Sequence, residues 1–133
     1  MTRLVILIAM ARCFAVGASA QTIATSFVST DVEVSNDYST VIALDTKRFR
    51  SIRVTVKNTG AAALRDVKVY AAASSTAASS DVSDDVDTSD TISDTLAAGA
   101  HGSWSCADCA YGYLSIACDA TTDAGCQAWI VGN

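Results

Sequence analysis

The 133-residue chain has no proline, one histidine (His101), one glutamate (Glu33), and no Lys or Arg after Lys68. These shortages exclude much. A single imidazole cannot form a His pair for a metal, and a single Glu cannot form a glutamate acid/base pair. His101 lies in the turn-like run Ala98-Gly99-Ala100-His101-Gly102-Ser103. Ser103 and Ser105 stand near it, but without a nucleophile elbow or an oxyanion loop. No glycine-rich phosphate loop is present either. The chain therefore reads as a protein with no enzymatic activity and no cofactor, and a small-molecule ligand is not expected. Lys and Arg number nine against fourteen Asp and Glu, a net charge of −5. That balance disfavours nucleic acid as a partner, because phosphates are neutralised by a basic surplus. The longest apolar run covers residues 4–11. It falls well short of the roughly 20 residues needed to cross a bilayer, so no stable membrane span is expected.

What is present suffices for one folded domain: half the residues are hydrophobic and 17% are charged. The first twenty residues combine a basic start at Arg3, an apolar core, and a small-x-small end at Ala18-Ser19-Ala20. That is the pattern of a secretory signal peptide, although Arg12 interrupts its core. The alternative keeps residues 1–20 as an apolar assembly segment. Leu4, Val5, Ile6, Leu7 and Ile8 are rich in β-branched residues and suit a strand inserted at a neighbour's sheet edge. Residues 21–133 form the expected domain.

Charge is unevenly distributed along the chain. Lys47, Arg48, Arg50, Arg53, Lys57, Arg65 and Lys68 hold seven of the nine basic residues, and nine Asp follow Lys68. Six of these, Asp81, Asp84, Asp85, Asp87, Asp90 and Asp94, fall within the polar stretch 71–94, which reads as a long solvated loop. The stretch has neither the turn glycine nor the closing glutamate of an EF-hand calcium loop. Arg48, Arg50 and Arg53 on one side, and Asp84, Asp85 and Asp87 on the other, are candidates for contacts between packed copies.

The hydrophobic period is two. In Ile52-Arg53-Val54-Thr55-Val56-Lys57 apolar residues alternate with polar ones, as in a half-buried strand. Asn58-Thr59-Gly60 supplies a turn, with Gly60 free to take positive φ. Further strands are expected at 22–28, 31–34, 38–44 and 67–70, and a hairpin joins 114–118 to 126–131. Trp104, Trp129, Phe49, Tyr111 and Tyr113 are the expected core or its rim. The fold class is all-β: one antiparallel sandwich of about seven strands.

Cys13 belongs to the signal-like segment, whereas Cys106, Cys109, Cys118 and Cys126 cluster near the end of the chain. Removal of residues 1–20 leaves an even count, as an exported domain with two disulfides requires. Bridges 106–109 and 118–126 fit a tight turn and a hairpin, and 106–126 with 109–118 is a second possibility. Sequence alone does not choose. The Cys-x-x-Cys pair lacks a thioredoxin-like setting, and the second pair is too widely spaced for a zinc knuckle.

The segments 49–60 and 63–70, with Leu96 to Ala100, Trp104, residues 111–116 and Ala128-Trp129-Ile130, resemble small immunoglobulin-like β-sandwiches. Such modules occur in tailed-phage virion proteins and in prokaryotic surface proteins. The resemblance spans about residues 38–131, and the cysteines and signal-like start depart from it. It implies a structural subunit or decoration protein of an extracellular assembly, a virion first and a surface filament second. Its partners would be copies of itself or other proteins of that assembly. The alternative is a secreted or cell-surface binding or adhesion module, with the loop at 71–94 as its contact surface.

Overall fold

The computed structural model describes residues 24–83, 88–90, 92 and 95–133. Within them the chain forms ten strands: β1 (Thr25–Val28), β2 (Val32–Val34), β3 (Ser39–Asp45), β4 (Ile52–Asn58), β5 (Leu64–Ala72), β6 (Ser80–Asp81), β7 (Thr88–Asp90), β8 (His101–Cys106), β9 (Tyr113–Ala120) and β10 (Ala124–Gly132). One sheet runs β1-β10-β4-β8-β7, with β2 also on β10, and the other runs β3-β9-β5-β6. All of these pairings are antiparallel. The result is an antiparallel β-sandwich.

Ten strands replace the expected seven because the sheet edges are broken into short pieces. β1 and β2 occupy successive halves of one edge of β10, facing Trp129–Gly132 and Ala124–Cys126 respectively. β6 and β7 are two and three residues long. They fall inside the stretch expected to be a solvated loop, and Val82 and Ile92 from that stretch are buried. These two apolar side chains tie part of the stretch to the core, a pull that its polar composition conceals.

Alternation sets the layers. In β4 every second residue, from Ile52 to Asn58, is buried, while Arg53 and Lys57 are exposed. β5, β8 and β10 alternate in the same way. Their inward residues, with Leu114, Ile116 and Cys118 of β9, make one core around the fully buried Trp104. Phe49 is buried as well. Trp129, Tyr111 and Tyr113 are half-buried, as a rim requires.

The expected hairpin of 114–118 with 126–131 is an arch instead, and so is the connection through the Asn58-Thr59-Gly60 turn. β4 and β5 belong to different sheets, and so do β9 and β10. Each connection carries the chain from one layer to the other, which turns the apolar faces of both strands toward a shared core. Period-two patterning fixes which residues face inward but does not distinguish an arch from a hairpin.

The β4–β5 arch is held by Asn58, whose side chain is buried. Its Nδ2 donates to the carbonyls of Ala62 (2.8 Å) and Leu96 (3.0 Å), and its Oδ1 accepts from the Gly60 amide (3.0 Å). Gly60 is needed here for space rather than for positive φ. A Cβ at this position would press on the backbone of Ala124 and Gly125. The glycine at positive φ is Gly99 (75°), in the turn before β8.

Candidate functional site

The four cysteines of the domain pair as 106–109 and 118–126. The first pair closes the tight turn after β8. The second lies across the core: Cys118 on β9 and Cys126 on β10 come from opposite sheets, and both are fully buried. It therefore pins one sheet to the other rather than stapling a hairpin.

The strand axes define two ends. At one end lie the β3–β4 connection, the turn after β8 and the last residues of β10. Arg48, Arg50 and Arg53 are exposed there. The backbone holding them is well anchored. The amides of Arg50 (2.8 Å) and Ser51 (3.3 Å) donate to the Asn133 carbonyl, and the Cys109 amide donates to the Arg50 carbonyl (2.7 Å). The Arg48 guanidinium sits 5.2 Å from the centre of the Phe49 ring. Arg48 and Arg50 line a shallow depression with Ser51, Asp108 and Asn133. Nearby, Lys47 pairs with Asp45 at 3.7 Å.

At the other end, Asp31, Glu33 and Asp123 surround a second shallow depression with Thr59, Gly60, Ala124 and Gly125. The Thr59 hydroxyl donates to Asp31 Oδ1 at 2.5 Å. Asp37, just before β3, is exposed at the same end. Sequence reading missed this acidic group because Asp31 and Glu33 fall in a segment read as a strand and Asp123, far along the chain, joins them only when β2 pairs with β10. The basic group was visible because its members lie close together in sequence. Arg48 and Arg50 share one depression and Arg53 lines the adjoining one at the same end, while Leu4, Val5, Ile6, Leu7, Ile8, Asp84, Asp85 and Asp87 lie outside the described residues.

The outer face of the β3-β9-β5-β6 sheet carries its own polar network. The Tyr38 hydroxyl donates to Asp66, and the Lys68 ammonium lies 5.7 Å from the Tyr38 ring centre. Lys68 also pairs with Asp81 at 3.0 Å. The hydrogen bond to Asp66 raises the Tyr38 pKa to about 12, helped by burial and by the Asp66 charge. Burial pushes the Asp81 carboxyl upward. The Ser83 hydroxyl and amide, with Lys68, outweigh burial and hold it below its ordinary value. The hydrogen bond and charge of Asp81 in turn raise the Lys68 pKa. On the same face Arg65 pairs with the buried carboxylate of Asp119, whose Oδ1 has no hydrogen-bond partner among the described residues.

His101, Ser103 and Ser105 alternate along β8, with His101 exposed opposite Lys57. Among the described residues no group of three or more His, Cys, Asp or Glu side chains is arranged to hold a metal ion. No helix among them is long and apolar enough to cross a membrane.

No protein-family model matches the sequence, and neither does any curated protein. The fold is similar to that in the crystal structure of the SPBc2 prophage-derived protein YomS. The TM-score is 0.52 at 16% sequence identity, over 84% of this chain and 96% of that one. At this identity the likeness is one of fold.

Proposed function

We propose that the chain is a non-enzymatic structural subunit or decoration protein of an extracellular assembly, a virion first and a surface filament second. The observation that carries this reading is the fold likeness to a prophage-derived protein, which extends over 96% of that protein's length. The likeness to small immunoglobulin-like modules of virion proteins, read from the sequence, points the same way. An inter-sheet disulfide suits a rigid building block working outside the reducing cytosol. Partners would be copies of the chain or other proteins of the same assembly.

The test is to fractionate producing cultures and follow the native protein with an antibody. Co-purification with particles or filaments through a density gradient supports the reading. Recovery only as a free soluble monomer overturns it and favours the second reading, a secreted or cell-surface binding module. That alternative is supported by the signal-like first twenty residues together with the paired cysteines.

A further inference from the structure

Among the described residues the two ends of the sandwich carry opposite charge. At one end Arg48, Arg50 and Arg53 are exposed, Asp108 lines the depression with Arg48 and Arg50, and Asp45 is paired with Lys47. No ion pair to Arg48, Arg50 or Arg53 forms among the described residues. At the other end Asp31, Glu33 and Asp123 line the second depression and Asp37 is exposed, while the strand cations there are Lys57, opposite His101, and Arg65, which pairs with Asp119. The seven residues of β4 run from one end to the other, which at ~3.3 Å per residue separates them by roughly 20 Å. Each end is a shallow depression, and hydrogen bonds hold the backbone of the basic end and the Thr59–Asp31 pair of the acidic end in place, which lowers the backbone ordering that a contact requires.

From this we infer that copies of the chain associate head to tail, with the Arg48/Arg50/Arg53 end of one copy on the Asp31/Glu33/Asp123 end of the next. The inference rests on the assembly reading above and names the contact within it. The occupant of each end is a second copy because the complement of each surface is the other end of the same molecule. Steering of this kind favours the correct register and repels the reverse one, since like ends brought together place cation on cation or carboxylate on carboxylate. The two patches in contact are different, so the interface is heterologous. Repetition then generates a ring or an open filament rather than a two-fold dimer.

Sedimentation velocity on the full chain tests this with two charge-reversed variants, Arg48→Glu/Arg50→Glu and Glu33→Lys/Asp123→Lys. All four positions are exposed, and near-ultraviolet circular dichroism checks that each variant is folded. Wild type is expected to form multi-copy species. Their association should weaken at least ~10-fold between about 20 mM and about 0.5 M salt, as screening shortens the reach of the charges. Each variant alone should remain monomeric, and an equimolar mixture of the two should restore association. Wild-type association that ignores salt overturns the head-to-tail contact, whatever the variants do. So does a variant that assembles unaided, or a mixture that stays monomeric. In those cases the assembly reading still stands. A wild-type chain that is monomeric at every concentration and salt overturns the head-to-tail contact, while the assembly reading is judged separately by co-purification with particles or filaments.

Discussion

The Tyr38 hydroxyl donates a hydrogen bond to the Asp66 carboxylate across the outer face of the β3-β9-β5-β6 sheet. The bond exists only while the phenol keeps its proton. Ionising Tyr38 removes the donor and sets a phenolate beside a carboxylate, so its pKa rises to about 12. The sign of the linkage follows. The unfolded tyrosine loses its proton near 10.0, so this stabilisation is complete below pH 10 and disappears as pH rises toward 12. A spectrophotometric titration of the four tyrosines should show one ionising late. Tyr38→Phe should remove that late component, and Asp66→Asn should move it back toward the ordinary range. A late component that survives Tyr38→Phe would assign the shift to another residue.

Cys118 and Cys126 are separated by eight residues but lie on opposite sheets. Closing a loop of that length restricts the unfolded chain by about 2.5 kcal/mol at 25 °C, whereas the three-residue loop of Cys106–Cys109 restricts it by about 1.6 kcal/mol. Denaturant unfolding of Cys118→Ala/Cys126→Ala should therefore show the larger loss. The buried position adds to it, because two sulfurs packed in the core are removed as well. Equal losses for the two pairs would deny the inter-sheet bridge its special role.

These relationships show what the sequence made legible. The inward set Ile52, Val54 and Val56, with Trp104 and Phe49 in the core, follows from alternation and aromatic content, and all five are buried. The basic end was visible because Arg48, Arg50 and Arg53 sit within six consecutive positions. The acidic end was not, because Asp31 and Glu33 read as part of a strand and the distant Asp123 joins them only when β2 pairs with β10. Layer assignment was hidden for a related reason. A turn such as Asn58-Thr59-Gly60 has the same residue chemistry whether the chain doubles back in its own sheet or arches to the other.

Asn58 offers a direct test of the first arch. Its amide serves the Ala62 carbonyl, the Gly60 amide and the Leu96 carbonyl, all within 3.0 Å, and the last of these also accepts from the Leu64 amide. Asn58→Ala leaves the half-buried Ala62 carbonyl and Gly60 amide without this partner, while the Leu96 carbonyl keeps the Leu64 amide. The expected cost is about 2 kcal/mol, since an orphaned polar group forfeits its hydrogen bond. Asn58→Asp keeps the acceptor for Gly60 but loses the donor and buries a charge, so it should be no better than alanine. Thermal unfolding of the two variants measures this. A loss below about 0.5 kcal/mol for the alanine variant would mean that water replaces the amide.

Gly60 and Gly99 lie near the same end of the molecule but resist substitution for different reasons, and that difference can be measured. At Gly60 the obstacle is backbone on the neighbouring strand. A Cβ would sit 2.9 Å from Ala124 Cα and closer still to the Gly125 nitrogen, and neither atom can swing aside. At Gly99 nothing lies within 4 Å, and the obstacle is its φ of 75° alone. Alanine should therefore destabilise both positions, by about 2 kcal/mol or more at Gly60 through overpacking and by about 1 kcal/mol at Gly99 through backbone strain. Asparagine separates the two causes, because it tolerates the left-handed region but is larger than alanine. Gly99→Asn should recover most of the loss seen with alanine, whereas Gly60→Asn should be worse than Gly60→Ala. Recovery by asparagine at Gly60 would place the constraint there in its dihedral angle and undo the close approach of the β4–β5 arch to β10.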